Sequence, residues 1–357
     1  MMQFARGVEM GGAWILAKVQ LPLAACFAVI CLAGKGMAAD AALIEAAKKE
    51  GRVTWYTAQI INQLARPIAD AFTKKYGVKV DVIRADVTDT VLRITAEAKA
   101  GKMQADVFDG TSSAPPLKKA GLVLRWQPDA AALLPKQFVD PEGYWTANNL
   151  YVLTPVFNTQ LAPRGTEPRV WEDLLDPKYK GKIAISGLVS SSSGPGFVGT
   201  VLTDMGEENG MNYLKKLAMQ DVTNIYSSAR AMVDQVMAGE YTIGLQGFNH
   251  QPVISAAQGA PVDWIKWNPS LAVLSVAAVT KDAPHPNAGK LLADFLISSE
   301  GQQIFADNNY VTVHPQVPPK ARDLNPEIGG FRAIYKTPEE LDVLIPKWAV
   351  IYKQLFK

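Results

Sequence analysis

Cysteine is nearly absent: the 357-residue chain has two, Cys26 and Cys31, both inside one N-terminal apolar run. A chain processed beyond that run has no disulfide, no thiolate metal site and no cysteine nucleophile. Histidine is almost as scarce, with three residues (His250, His285, His314), no metal-ligand spacing among them and no HExxH helix. His285 lies between two prolines and His314 precedes Pro315, so both read as loop residues, and a lone His250 reads as a hydrogen-bonding group. The serine run Ser190-Ser-Ser-Ser193 lacks the GxSxG elbow of hydrolases. With no nucleophile–base pair legible, no catalytic residue, metal site or cofactor is expected, and a secreted hydrolase or transferase is the weaker alternative. There is also no surplus of one charge: 36 Lys+Arg against 34 Asp+Glu give +2, which argues against a nucleic-acid partner.

What is present is an ordinary globular composition, 48% hydrophobic and 20% charged, long enough for two domains or lobes. It excludes a disordered, fibrous or polytopic chain. Residues 21–34 form an apolar run of signal-peptide length, short for a spanning helix. Arg6 and Lys18 precede it and Gly36-Met-Ala-Ala39 follows with the small residues a signal peptidase needs. Residues 1–39 therefore read as a secretory signal cleaved after Ala38 or Ala39, giving a periplasmic protein. An uncleaved anchor is the alternative, interrupted by Lys18, Gln20 and Pro22. Leu23-Ala-Ala-Cys26 resembles a lipoprotein box, but the apolar run continues past it. Cleavage removes three bases (Arg6, Lys18, Lys35) and one acid (Glu9), leaving 33 residues of each sign.

From Asp40 onward, short β-rich runs alternate with helical patterns. Asp40 is placed to cap a helix over 41–50 that Gly51 stops. Strands are predicted at 53–57, 78–85, 106–108, 150–157, 183–186, 241–246, 262–267 and 273–280. Helices are predicted at 62–76, 88–100, 196–205, 208–218, 228–238, 287–298 and 301–308, with another closing at Gly121 and a loop over 125–144. This alternation implies an α/β fold of parallel sheets covered by helices.

The motifs resemble those of the periplasmic solute-binding proteins of ABC importers. The nearest branch binds ferric iron, thiamine, polyamines, phosphonates and sugar phosphates. The matching residues are Trp55-Tyr-Thr-Ala58, Tyr76-Gly-Val-Lys-Val80, Ala105-Asp-Val-Phe108 and Phe157-Asn158. Trp171-Glu-Asp-Leu-Leu-Asp-Pro-Lys-Tyr-Lys-Gly-Lys-Ile183, Met237-Ala-Gly-Glu-Tyr241 and Phe295-Leu-Ile-Ser-Ser-Glu-Gly-Gln302 complete the series. The resemblance implies the type 2 periplasmic-binding fold: two lobes, each a mostly parallel sheet covered by helices, joined by crossing hinge strands. It places lobe 1 at 40–152 plus 272–320 and lobe 2 at 153–271 plus 321–357. It also implies a monomer that closes on a small molecule and delivers it to a permease in the inner membrane, powered by a separate ATPase.

In such lobes, ligands sit at strand carboxyl ends against helix N-termini, which singles out four loops. The first contributes Thr57, Ala58 and Gln59; the second Thr111 and Ser112, where Ser112 or Ser113 could instead cap a helix. The third contributes Ser192, Ser193 and Gly194, hydroxyls and backbone N–H groups at a helix start suited to a phosphonate, phosphate or carboxylate. The fourth contributes Gln246 and Asn249, the latter also a possible helix cap. Tyr151, Tyr226 and Arg230 complete the candidate ligand-binding set, with an ordinary surface role as the alternative for Arg230. The ferric binders of this branch use a His, a Glu and a Tyr-Tyr pair where this chain has Ile60, Thr111, Phe248 and Asn249. None of these supplies the anionic oxygen that a hard cation needs. The expected ligand is therefore a small organic anion. A polyamine- or thiamine-like cation, or an iron chelate, is the alternative.

Overall fold

The computed structural model describes residues 40–187 and 192–356; residues 1–39, expected to be a secretory signal, and the start of the serine loop (188–191) lie outside the described residues. Among the described residues ten strands form one sheet: β1 (Arg52–Thr57), β2 (Lys79–Arg84), β3 (Val107–Gly110), β4 (Thr146–Asn158) and β5 (Ile183–Ser186). β6 (Thr223–Ile225), β7 (Ile243–Phe248), β8 (Val262–Trp264), β9 (Ser270–Val279) and β10 (Ala333–Lys336) complete it. The helices are α1 (Ala41–Glu50), α2 (Arg66–Tyr76), α3 (Val87–Lys99), α4 (Ala114–Lys119), α5 (Gly194–Met205) and α6 (Glu207–Ala218). They continue as α7 (Ala229–Met237), α8 (His250–Ala256), α9 (Pro286–Ile297), α10 (Ser299–Asp307), α11 (Pro326–Gly329) and α12 (Pro338–Leu355). Among the described residues no helix is long and apolar enough to cross a membrane.

The helix ends follow local chemistry. Asp40 accepts from the Ala42 N–H and Gly51 turns left-handed at φ 73°, so α1 starts and stops where its sequence says. Gly77 ends α2 in the same way, and the Ser228 side chain caps α7. The stretch 61–65, expected as the first turn of α2, instead winds as a π-helical segment. The loop over 125–144 contains two short 3₁₀ turns, Asp129–Leu133 and Lys136–Phe138.

Strand order is β2-β1-β3-β9-β4-β7-β5-β6, with β10 beside β9 and β8 beside β4. The expected parallel pairing occupies the two ends, β1–β2 and β1–β3 on one side and β5–β6 and β5–β7 on the other. The centre is antiparallel, because the long strands β4 and β9 run in opposite directions through the middle. This is a two-lobe α/β fold in which both lobes hang on one central ladder.

Alternation along that ladder divides the core. Leu150, Val152, Ala272, Leu274 and Val276 face a continuous apolar cluster with Phe108, Leu117 and Trp264. The opposite face carries two separate clusters. One gathers Trp55, Ile68, Phe72 and Phe295 around α2 and α9; the other gathers Phe197, Tyr213, Trp348 and Tyr352 around α5, α6 and α12. Burying each such leucine or phenylalanine fully stabilises the fold by about 1.5–3 kcal/mol. α12 lies against α5, and it also reaches α4 through the Lys119–Asp342 ion pair (2.6 Å) and the residue preceding β4 through the bond from Trp145 Nε1 to Glu339 (2.8 Å).

Candidate ligand-binding cleft

The strand registers locate the cleft. β3 ends at Gly110 opposite Val276, and β7 ends at Phe248 opposite Leu153. In the β4–β9 ladder Tyr151 pairs with Val273, between those two points. The carboxyl ends of the two parallel halves therefore run towards each other and meet beside Tyr151. The two apolar clusters on that face are interrupted at the same place, where Asn149, opposite Ser275, puts polar side chains into the sheet. Tyr151 packs against both clusters.

Asp109 organises the first two loops. Its side chain is fully buried and accepts from Trp55 Nε1 (2.9 Å), Thr57 Oγ1 (2.6 Å) and the Ala58 N–H (3.0 Å). Burial pushes the Asp109 carboxyl up to about 6, against the pull of those three bonds. The turn that follows places Gln59 over the ladder. Tyr151 donates its phenol hydrogen to Gln59 Oε1 (2.9 Å), and Gln59 Nε2 donates to Asn149 Oδ1 (2.9 Å). Burial holds the Tyr151 phenol well above its ordinary range, so it acts as a neutral donor. Thr111 and Ser112 sit half-buried in the bend after β3, one strand away. Ser113 starts α4 but its side chain caps nothing, which corrects the capping alternative; its buried Oγ has no hydrogen-bond partner.

The third and fourth loops meet on the other side. Ser192 and Ser193 are buried where α5 begins, and a Cβ on Gly196 would lie 3.6 Å from Gln246 Nε2 and 3.7 Å from Ser192 Cβ. Gln246 is a non-glycine residue at φ 63°, at an irregularity in the β4–β7 register. Such a kink re-aims a side chain, and here it turns the Gln246 amide towards Thr200 of α5 (3.5 Å). The Ser186 hydroxyl at the end of β5 donates to the Ser227 carbonyl (2.8 Å), which brings the 226–228 turn alongside the same loop. Tyr226 is 78% exposed there.

An aromatic group, largely invisible to sequence reading, closes the fourth side. Tyr151 lies 4.9 Å from the Phe248 ring and 5.8 Å from His250, and His250 lies 4.5 Å from Tyr310. Burial, with Arg230 assisting, pushes the His250 imidazole down to about 3, so it is neutral. Tyr310 follows helix α10 in a segment whose sequence carries no site signal.

The sequence-derived set thus divides. Thr57 and Ala58 are tied to Asp109 and Gln59 to Tyr151, and Ser192 gathers with Gly196 near Gln246, while Gly194 lies against the Tyr352 ring. Arg230 instead pairs with Asp234 (2.8 Å) and donates to Ser255 Oγ (3.2 Å), its ordinary alternative. Asn249 neither caps α8 nor faces the convergence: its Nδ2 donates to the Leu324 carbonyl (2.8 Å). His285 is more than a loop residue, since its backbone N–H and Nδ1 both engage buried Asp106 (2.6 and 3.0 Å). Trp55 and Tyr56 are both core residues. Asn149 and Ser275 escaped sequence reading because their position depends on the β4–β9 register. Each leaves a buried polar atom without a partner, Asn149 Nδ2 and Ser275 Oγ, a condition that costs about 1–3 kcal/mol per group.

The model of the bacterial extracellular solute-binding protein family matches residues 103–336. A putative 2-aminoethylphosphonate-binding periplasmic protein of Salmonella paratyphi A is 26% identical over 316 residues, 84% of each chain. The periplasmic binding protein AfuA from Actinobacillus pleuropneumoniae, solved with fructose 6-phosphate, superposes with a TM-score of 0.72 at 26% identity, covering 85% of this chain and 99% of that one. Iron-bound HitA from Pseudomonas aeruginosa has the same fold, with a TM-score of 0.68 at 22% identity, covering 85% and 99%. The chain belongs to the bacterial extracellular solute-binding proteins and is the solute-binding component of an ABC transporter.

Proposed function

We propose that the protein captures a small organic anion carrying a phosphonate, phosphate or carboxylate group, and releases it unchanged to its permease. The observation that carries this reading is the donor set at the convergent loops. Hydroxyls, amides and a helix N-terminus gather at these loops, while the positions that hold iron in the ferric branch are Ile60, Thr111, Phe248 and Asn249. Asp109, the nearest carboxylate, has its oxygens occupied by three internal bonds. The named ligands of two relatives, 2-aminoethylphosphonate and fructose 6-phosphate, are of the same class. In this reading the 192–194 segment binds the anionic head, and Thr57, Gln59, Thr111, Ser112, Tyr151 and Gln246 bind the remainder. Lobe 1 (40–152 plus 272–320) closes on lobe 2 (153–271 plus 321–357) about β4 and β9, driven by contacts made only when both touch the ligand. The mature monomer begins at residue 39 or 40 in the periplasm and catalyses nothing.

A thermal-shift screen of residues 40–357 tests this. A ligand at a hundred times its dissociation constant adds about 2.7 kcal/mol, a rise of several degrees for a chain of this size. The expected result is a shift with phosphonates or sugar phosphates and none with polyamines, thiamine or free ferric iron. Replacing Ser192 and Ser193 together by alanine removes both hydroxyls without adding bulk at these buried positions and should abolish the shift with the fold intact. Unchanged affinity in that double variant removes the third loop from the site.

A further inference from the structure

We infer that Asn149 and Ser275 form the floor of the ligand site and present hydrogen-bond donors to an oxygen of the bound solute. This deepens the organic-anion reading and rests on it. The two residues are opposed across the β4–β9 ladder, on the face where the strand ends converge, and are 0% and 1% exposed. Other buried polar atoms lack partners, Asn148 at the neighbouring register irregularity among them, but among the described residues Asn149 and Ser275 are the two directly opposed across the ladder beside Tyr151.

The chemistry of the floor is set by direction. A phenol hydrogen of Tyr151 enters Gln59 Oε1, which fixes Nε2 as the outgoing end of that amide. Gln59 Nε2 then donates to Asn149 Oδ1, which fixes Nδ2 as the donating end of Asn149. Those N–H groups lie beside the Tyr151 phenol oxygen without a hydrogen bond of normal geometry. The relay thus begins at a hydroxyl that cannot ionise at neutral pH and ends at an amide that can only donate. Ser275 Oγ, across the ladder, adds a hydroxyl that donates or accepts as the solute requires. The Asn149 NH₂ selects an acceptor, such as a hydroxyl, carbonyl or phosphonate oxygen, and disfavours an ammonium group. An aminated ligand would therefore lie with its nitrogen away from β4.

The test is titration calorimetry with 2-aminoethylphosphonate and with fructose 6-phosphate, on the native protein, Asn149→Asp and Tyr151→Phe. Asn149→Asp turns the terminal donor into a charged acceptor. Affinity for whichever anion the native protein binds should fall at least a hundredfold at pH 8 and recover as pH is lowered and the carboxyl regains a proton. Tyr151→Phe keeps the shape but frees the Gln59 amide to turn over, and should cost about three- to tenfold with no new pH dependence. It keeps the inference testable if the aspartate variant does not fold. Native binding with Tyr151→Phe unchanged, or an Asn149→Asp loss that is the same at all pH values, overturns the relay alone. Failure of the native protein to bind either anion overturns the phosphonate and sugar-phosphate reading, and the relay with it.

Discussion

Asp294 and His250 pull stability in opposite directions below neutral pH. Burial, reinforced by Asp129 and opposed by Lys75, pushes the Asp294 carboxyl up to about 6. The native state therefore holds a proton that the unfolded chain has lost from about pH 4 upward, so stability falls as pH rises from about 4 to 6. His250 is the reverse. Its imidazole stays neutral to about 3 in the fold, whereas the unfolded chain protonates near 6.5, so stability is lost as pH falls from about 6.5 to 3. Asp294→Asn should accordingly match the native protein at pH 4 and exceed it at pH 8 by about 1–3 kcal/mol. His250→Gln should flatten the acid side of the curve. Urea unfolding between pH 4 and 8 measures both, and profiles parallel to the native one would show that neither group titrates as its surroundings require.

Packing between α5 and α12 gives a case where two elementary effects oppose. Gly199 lies inside α5, where alanine would normally improve the helix by about 1 kcal/mol. A Cβ there would run into the indole of Trp348, a ring held on α12 and 7% exposed. Overpacking a core typically costs 1–3 kcal/mol, and a rigid indole cannot yield as a flexible chain would, so the clash wins. Gly199→Ala should lose about 1–3 kcal/mol, and adding Trp348→Leu should recover part of it. A stabilised single variant would mean that α12 sits further from α5.

These elements also show what the sequence makes legible. Helix ends at Asp40, Gly51, Gly77 and Ser228 were readable because capping is settled within four residues. β7 was expected two residues early because its limits depend on what β4 and β5 offer as partners, and only the first half of the expected 262–267 strand finds one. Helix α12 passed unnoticed although Thr337 and Glu340 form a capping box at its start. Within the cleft, the loops following strands could be anticipated, since the fold class dictates them. The floor could not, because Asn149 and Ser275 meet only through a register fixed over a hundred residues of intervening chain.

At the scale of the molecule, each half is completed by residues from the far end of the chain. The cluster of α2 closes on Phe295 of α9, with ring centroids 5.6 Å from Phe72 and 6.1 Å from Tyr76. Glu50, at the end of α1, accepts from the backbone N–H groups of Asn287 and Ala288 at 3.2 and 2.7 Å. A fragment ending at Ala283 lacks α9 and leaves Trp55, Leu64, Ile68 and Phe72 uncovered. It should show no cooperative urea transition for residues 40–150, whereas a sharp one would mean that the first half folds without α9.

The same interleaving has a consequence for a chain that leaves the cell interior. Synthesis supplies residue 50 long before residue 288, so the segment that emerges first has no lid for its apolar surface until nearly the whole polypeptide has been made. Long-range contacts of this kind slow folding. A chain exported unfolded, as the proposed signal over 1–39 implies, gains from that delay, because it must not compact before it has passed a translocase.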